Sequence, residues 1–150
     1  MREARLMITM QMKALFFDKP AVLRAVDKAK RAVLSRAGAF VRTTAKHSIR
    51  TKKGSAPPGQ PPHSHEGSLR RLIYFGYDSA TDSVVVGPVG FKRTGAPHLL
   101  EFGGKTEIQR RRLGKVVRTR VTIAQRAFMG PALEKERPEL PKRWAGSVRG

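Results

Sequence analysis

The residue types that could do chemistry stand in a few short groups. His63-Ser64-His65-Glu66 combines two imidazoles with a carboxylate, the side chains that bind zinc or serve a metal-dependent nuclease. A working site also needs fixed geometry and oriented outer partners. This alternating spacing lies in a proline-rich stretch with no helix to hold it, so it reads as a polar loop. His98 and Glu101 could act as an acid–base pair, but no nucleophile, oxyanion hole or second carboxylate accompanies them. Gly87, Gly90, Gly95, Gly103 and Gly104 lack the fixed spacing and the Lys-Ser/Thr ending of a phosphate-binding loop, and read as turn residues. No catalytic residue, metal ligand or cofactor is assigned, and the chain is expected not to be an enzyme.

The strongest local signal is basic. Arg110, Arg111 and Arg112 precede Leu113-Gly114, and Lys115, Arg118 and Arg120 follow it. Such a hairpin can track a phosphate backbone, releasing counterions. It can equally lie against an acidic partner protein, or be a solvated edge kept from aggregating by its charges. The aromatic interleaving of single-strand binders is missing, as is any helix-turn-helix or zinc-finger spacing.

The elements that must position these groups follow from periodicity. Arg5–Gln11 alternates with a period of two and is expected as a strand. Asp18 can cap a helix and Pro20 fits its first turn. Val22, Val26, Ala29, Val33, Ala37, Phe40, Val41 and Thr44 then recur at steps of three or four, predicting a helix from about Pro20 to Ile49. Its length, roughly 45 Å, exceeds what one small sheet covers. Phe40 and Val41 are expected in the core, and Gly38 to permit a close approach or a bend.

Residues 51–68 contain Pro57, Pro58, Pro61 and Pro62 with Gly54, Gly59 and Gly67, and read as an extended segment with little to bury, serving as an arm toward other subunits. Leu69–Tyr77 and Ser83–Val89 are expected as a hairpin, with both faces of Val84-Val85-Val86 covered. His98–Phe102 is expected as a short helical turn. Residues 105–124 form the basic hairpin, whose Val117, Thr119, Val121 and Ile123 give it the cleaner alternation. Pro131 opens a final helix, and Trp144 anchors its end. The fold class is α+β: a long N-terminal and a shorter C-terminal helix on a mainly antiparallel sheet of four to five strands, one domain spanning 1–150.

The formal charge is +20, from 31 Lys and Arg against 11 Asp and Glu. That predicts polyanionic partners, whether nucleic acid, anionic membrane or acidic protein. There is no cysteine, which removes disulfides and thiolate metal sites. No apolar run approaches the ~20 residues of a bilayer span. Met7–Phe17 is interrupted by Lys13 and lacks a clean cleavage site, so the chain is expected to stay in the cytosol on synthesis.

Three apolar segments stand in order: Gly67-Ser68-Leu69-Arg70-Arg71-Leu72-Ile73, then Ala96-Pro97-His98-Leu99-Leu100-Glu101-Phe102-Gly103-Gly104, then Arg126-Ala127-Phe128-Met129-Gly130-Pro131-Ala132-Leu133. In this order they resemble the neck or tail-completion proteins of long-tailed bacteriophages, in which a G-x-L-x-x-S-I-like segment is followed by H-x-x-E-F-G and by R-x-F-h-x-P-A-L. Leu72 stands where that family often has a small polar residue, and the stretch between the last two motifs is unusually basic. The resemblance implies structural roles for Gly67, Leu69, His98, Glu101, Phe102, Gly103, Phe128 and Pro131, with Glu101 pairing or capping locally. It implies a virion protein, made in the host cytoplasm, that forms a six-fold ring between head and tail. Its partners would be its own copies, the head connector or stopper, and the tail terminator or tube, with genomic DNA in the lumen and no membrane. The alternative is a free basic nucleic-acid-binding protein, which the charge alone supports.

Overall fold

The computed structural model describes residues 18–91 and 95–148; the strand expected at Arg5–Gln11 lies outside them. Helix α1 runs Lys19–Ser48, with Asp18 Oδ1 accepting from Ala21 N at 3.0 Å and Pro20 in the first turn, as the sequence predicts. Its buried stripe is made of small residues, Ala29, Val33, Ala37, Gly38, Val41 and Ala45. Small side chains let other elements come close, and the largest contribution to the core comes from them: Ile49, Leu69, Ile73 and Phe128 pack with Val41, Ala45 and Ala132. Phe40 is corrected: it is 40% exposed and off the core. The Arg143 guanidinium covers its ring at 3.5 Å, a cation–π contact rather than hydrophobic burial.

A helical turn, α2 (Ser68–Arg71), precedes the first hairpin, so the chain enters strand β1 only at Ile73. Gly67, at φ 70°, makes that turn in the left-handed region. Strands β1 (Ile73–Asp78) and β2 (Ser83–Pro88) pair antiparallel, Ile73 opposite Pro88 and Asp78 opposite Ser83. The hairpin lies against α1 at Gly38. A Cβ there would stand 2.5 Å from Val84 Cγ2 and 3.0 Å from Phe75 Cδ2, so the glycine serves close approach. Val85 is 62% exposed, which corrects the expectation of a strand covered on both faces. Only the side of the pleat toward α1 is packed, because successive residues alternate.

Helix α3 (Ala96–Phe102) leads into strands β3 (Gly104–Arg112) and β4 (Lys115–Ile123), a second antiparallel pair. The described residues therefore hold four strands in two separate two-stranded sheets, where one sheet of four to five strands was expected. The second pair carries cations on both faces and cannot be laid on the first without burying them. Helix α4 (Met129–Glu136), a 3-10 turn (Arg137–Glu139) and α5 (Leu140–Trp144) close the chain. Pro138 and Pro141 occupy first turns, so they restart helix rather than end it. Glu136 ties this end to α1, accepting from Thr44 Oγ1 at 2.6 Å and pairing with Arg143 at 3.3 Å. Trp144, expected as an anchor, is exposed. No helix among the described residues is long and apolar enough to cross a membrane.

Residues 51–68 are corrected from a segment with little to bury. Ala56, Pro62 and Ser64 are buried, and Pro61 is half-buried. The segment is strapped down by backbone: Arg126 Nε donates to Ala56 O at 2.6 Å, Gly59 N to Gln125 O at 2.9 Å, and Ser64 N to Arg50 O at 2.9 Å. Its prolines cannot donate, so the strap relies on the few residues between them. Pro57 and Pro58 remain exposed.

Candidate nucleic-acid and partner interface

The basic hairpin is an arm. Every residue from Gln109 to Arg120 is exposed, and the strands turn through Leu113 (φ 50°) and Gly114 (φ 75°), a two-residue loop with both residues left-handed. Nine residues per strand give an arm of about 30 Å. Leu113 stands at its tip, 98% exposed. The register sorts the six cations. Arg112 faces Lys115 and Arg110 faces Val117, which places Arg110, Arg112 and Lys115 on one side of the ribbon. Arg111 opposite Val116, Gln109 opposite Arg118 and Glu107 opposite Arg120 place Arg111, Arg118 and Arg120 on the other. Among the described residues none of the six is in an ion pair. Alternation alone could have shown this three-and-three division, once the turn had fixed the register.

The root of the arm is a joint between two of the three apolar segments. The Glu101 carboxylate accepts from Phe128 N at 2.9 Å and Met129 N at 3.0 Å through Oε2, and from Gly130 N at 2.7 Å through Oε1. These are free backbone donors at the start of α4, so a side chain from α3 caps a helix more than twenty residues away. Glu101, expected to pair or cap locally, instead reaches across the fold. Gly103 (φ 73°) turns the chain from α3 into β3, where a Cβ would meet Gln125 N and Ile123 O at 3.2 Å. Phe128 is buried in the core beside Leu69, while Pro131 is exposed in the first turn of α4. His98 is exposed and tilts against Phe102, ring centroids 4.9 Å apart; it makes no contact with a free carboxylate among the described residues.

Beside this joint an open apolar groove of about 580 Å³ runs between α1 and α4, lined by Leu34, Val41, Val85, Phe102, Met129 and Leu133. Phe102 is 68% exposed on its rim. A second apolar surface lies at the start of α1, beyond the reach of the hairpin, where Val22, Leu23 and Val26 are exposed. Sequence reasoning missed the groove, since its walls come from five separated elements.

Two smaller polar clusters sit elsewhere. Lys30 Nζ lies 2.6 Å from Asp82 Oδ2 and 3.3 Å from Asp27, and Tyr77 donates its hydroxyl to Asp82. The bonds from Lys30 and Tyr77 hold the Asp82 carboxyl below its ordinary pKa, and the bond to Asp82 raises that of Lys30. Lys46 is pushed down by partial burial and by nearby Arg42 and Arg70, and with Arg42 it lies over the Tyr74 ring. His63 points Nδ1 toward Gly54 O at 3.3 Å. Among the described residues no three His, Cys, Asp or Glu side chains come together in a way that could hold a metal ion. No family model, curated protein or solved structure matches the chain.

Proposed function

We propose that this chain is a non-enzymatic structural protein of a tailed-phage virion, assembling as a ring that joins head to tail around the DNA channel. The observation that carries the reading is a pair of unlike apolar surfaces on one strongly charged chain. The groove at Val85, Phe102 and Leu133 and the exposed α1 face at Val22, Leu23 and Val26 differ in shape and in place. Exposed apolar surface of this kind favours association. Two different patches that fit each other make a head-to-tail contact, which closes into a ring when the rotation allows. The motifs add support, since the Glu101 cap gives a physical reason for H-x-x-E-F-G and R-x-F-h-x-P-A-L to occur together.

In this reading the six-fold ring meets the head connector or stopper on one face and the tail terminator or tube on the other. Pro57 and Pro58, exposed on a strapped segment, contact a neighbour, and the sheet of four to five strands is completed across subunits. The alternative, a free basic nucleic-acid-binding protein, is favoured by the exposed arm. The test is the mass of the purified protein, followed by electron microscopy. A ring is expected. Leu23→Glu and Phe102→Glu should each block assembly, and because each retains the surface the other lacks, mixing them should give dimers only. A wild-type monomer at all concentrations would remove the joining reading.

A further inference from the structure

We propose that the β3–β4 arm binds duplex DNA by lying in the major groove, with cations from both of its faces reaching the phosphates that wall it. The inference stands on the arm alone and does not require the ring.

The argument begins with the division of charge. Arg110, Arg112 and Lys115 project from one face and Arg111, Arg118 and Arg120 from the other. A flat partner, whether an acidic protein surface or a bilayer, meets one face of a ribbon and leaves the other face's cations in water. A groove encloses both. Glu107 is the one acidic residue on the two strands. The dimensions agree for a ribbon entering edge-on, its two faces toward the two walls: with its side chains a sheet is about 10 Å thick, and the major groove, about 12 Å wide, admits a two-stranded ribbon while the minor groove, about 6 Å, does not without widening. The cation-bearing stretch, from the Glu107–Arg120 pair to the Arg112–Lys115 pair, is about 20 Å long, somewhat over half of one helical turn of about 34 Å. The arm carries no aromatic side chain, so it has no platform for stacking the bases of a single strand.

The experiment uses the full-length protein and a fluorescent duplex of about 20 bp, two helical turns, with anisotropy read across a salt series. Six phosphate contacts predict a loss of affinity of about 10³-fold between about 50 and 200 mM salt. The triple variants R110Q/R112Q/K115Q and R111Q/R118Q/R120Q should each reduce the slope of log K against log salt by about 2.7, at 0.9 per phosphate lost. R24Q/K28Q/K53Q removes as much charge from exposed positions elsewhere and should change the slope by less than about 1. Methyl green, which fills the major groove, should compete, and netropsin, a minor-groove ligand, should not.

Several results would overturn the proposal: no binding at low salt, sensitivity to one face only, an equal loss in the α1–loop variant, or competition by netropsin. Unaltered circular dichroism in the triple variants separates these outcomes from misfolding. A ring that fails the duplex test keeps the joining reading and loses the arm's role. A monomer that passes does the reverse.

Discussion

The two β-hairpins start from similar local signals and end in opposite roles. Both are antiparallel pairs around short turns. The first is laid on α1, its Phe75 and Val84 close against Gly38. The second, with the cleaner alternation, is covered on neither side along its outer half. Alternation selects a strand but does not bury it. Burial needs an apolar face and a partner surface of matching shape. On the second hairpin Val116 and Val117 sit on opposite faces among arginines, so no apolar face forms near the tip. One hairpin therefore belongs to the fold, and the other is a surface carried by it.

The sharpest way to break this comparison is to truncate both. Ile73 is fully buried at the start of β1, and Ile73→Ala should cost about 2–5 kcal/mol, with a matching fall in Tm. Val117→Ala on the arm should stay within about 0.5 kcal/mol, as an exposed change does. Equal losses at the two sites would mean that the arm is packed.

Gly38→Ala sets two effects against each other. Alanine gains about 1 kcal/mol of helix propensity, while forcing a methyl against Val84 and Phe75 costs about 1–3 kcal/mol. Val84 is stiff at χ1, so overpacking should win by about 1 kcal/mol in chemical denaturation. A stabilised variant would show that the first hairpin can slide on the helix.

The smallest effect expected is on pH. Asp82 is held below its ordinary pKa, so its contribution is present above the unfolded carboxylate value and is lost as pH falls through the lower folded one. Lys30 is raised, so its share is complete below the unfolded lysine value and is lost as pH rises through the folded one. The tether of the first hairpin's turn to α1 is thus strongest between these limits, and Asp82→Asn should flatten the acid limb of the stability curve slightly. The arm, which lacks such a tether, should add nothing to that limb.

What was legible in the sequence was whatever is local. Asp18 and Pro20 mark the start of α1, Leu113-Gly114 marks the arm's turn, and spacing of three and four outlines the helix stripe. What was not legible depends on partners far along the chain. Arg126 strapping Ala56 and Gln125 O receiving Gly59 N are long-range bonds to backbone, which leave no pattern in residue type. Phe40 fits the helical stripe, yet the short C-terminal helices place Arg143 there instead of a hydrophobic neighbour. In the candidate site the cations were visible by type, whereas their division between two faces required the register.

The Glu101 cap also has a mechanical side. An arm of about 30 Å is a lever, and a pull at its tip arrives at the turn where Gly103 joins α3 to β3. There the three hydrogen bonds that the N–H groups of Phe128, Met129 and Gly130 donate to one carboxylate lie side by side. Bonds arranged in parallel share a load and must fail together, unlike those of a hairpin opened from its end, which fail in turn. A pull at the tip runs down both strands together and leaves the rungs between them unloaded, so this joint is what meets it.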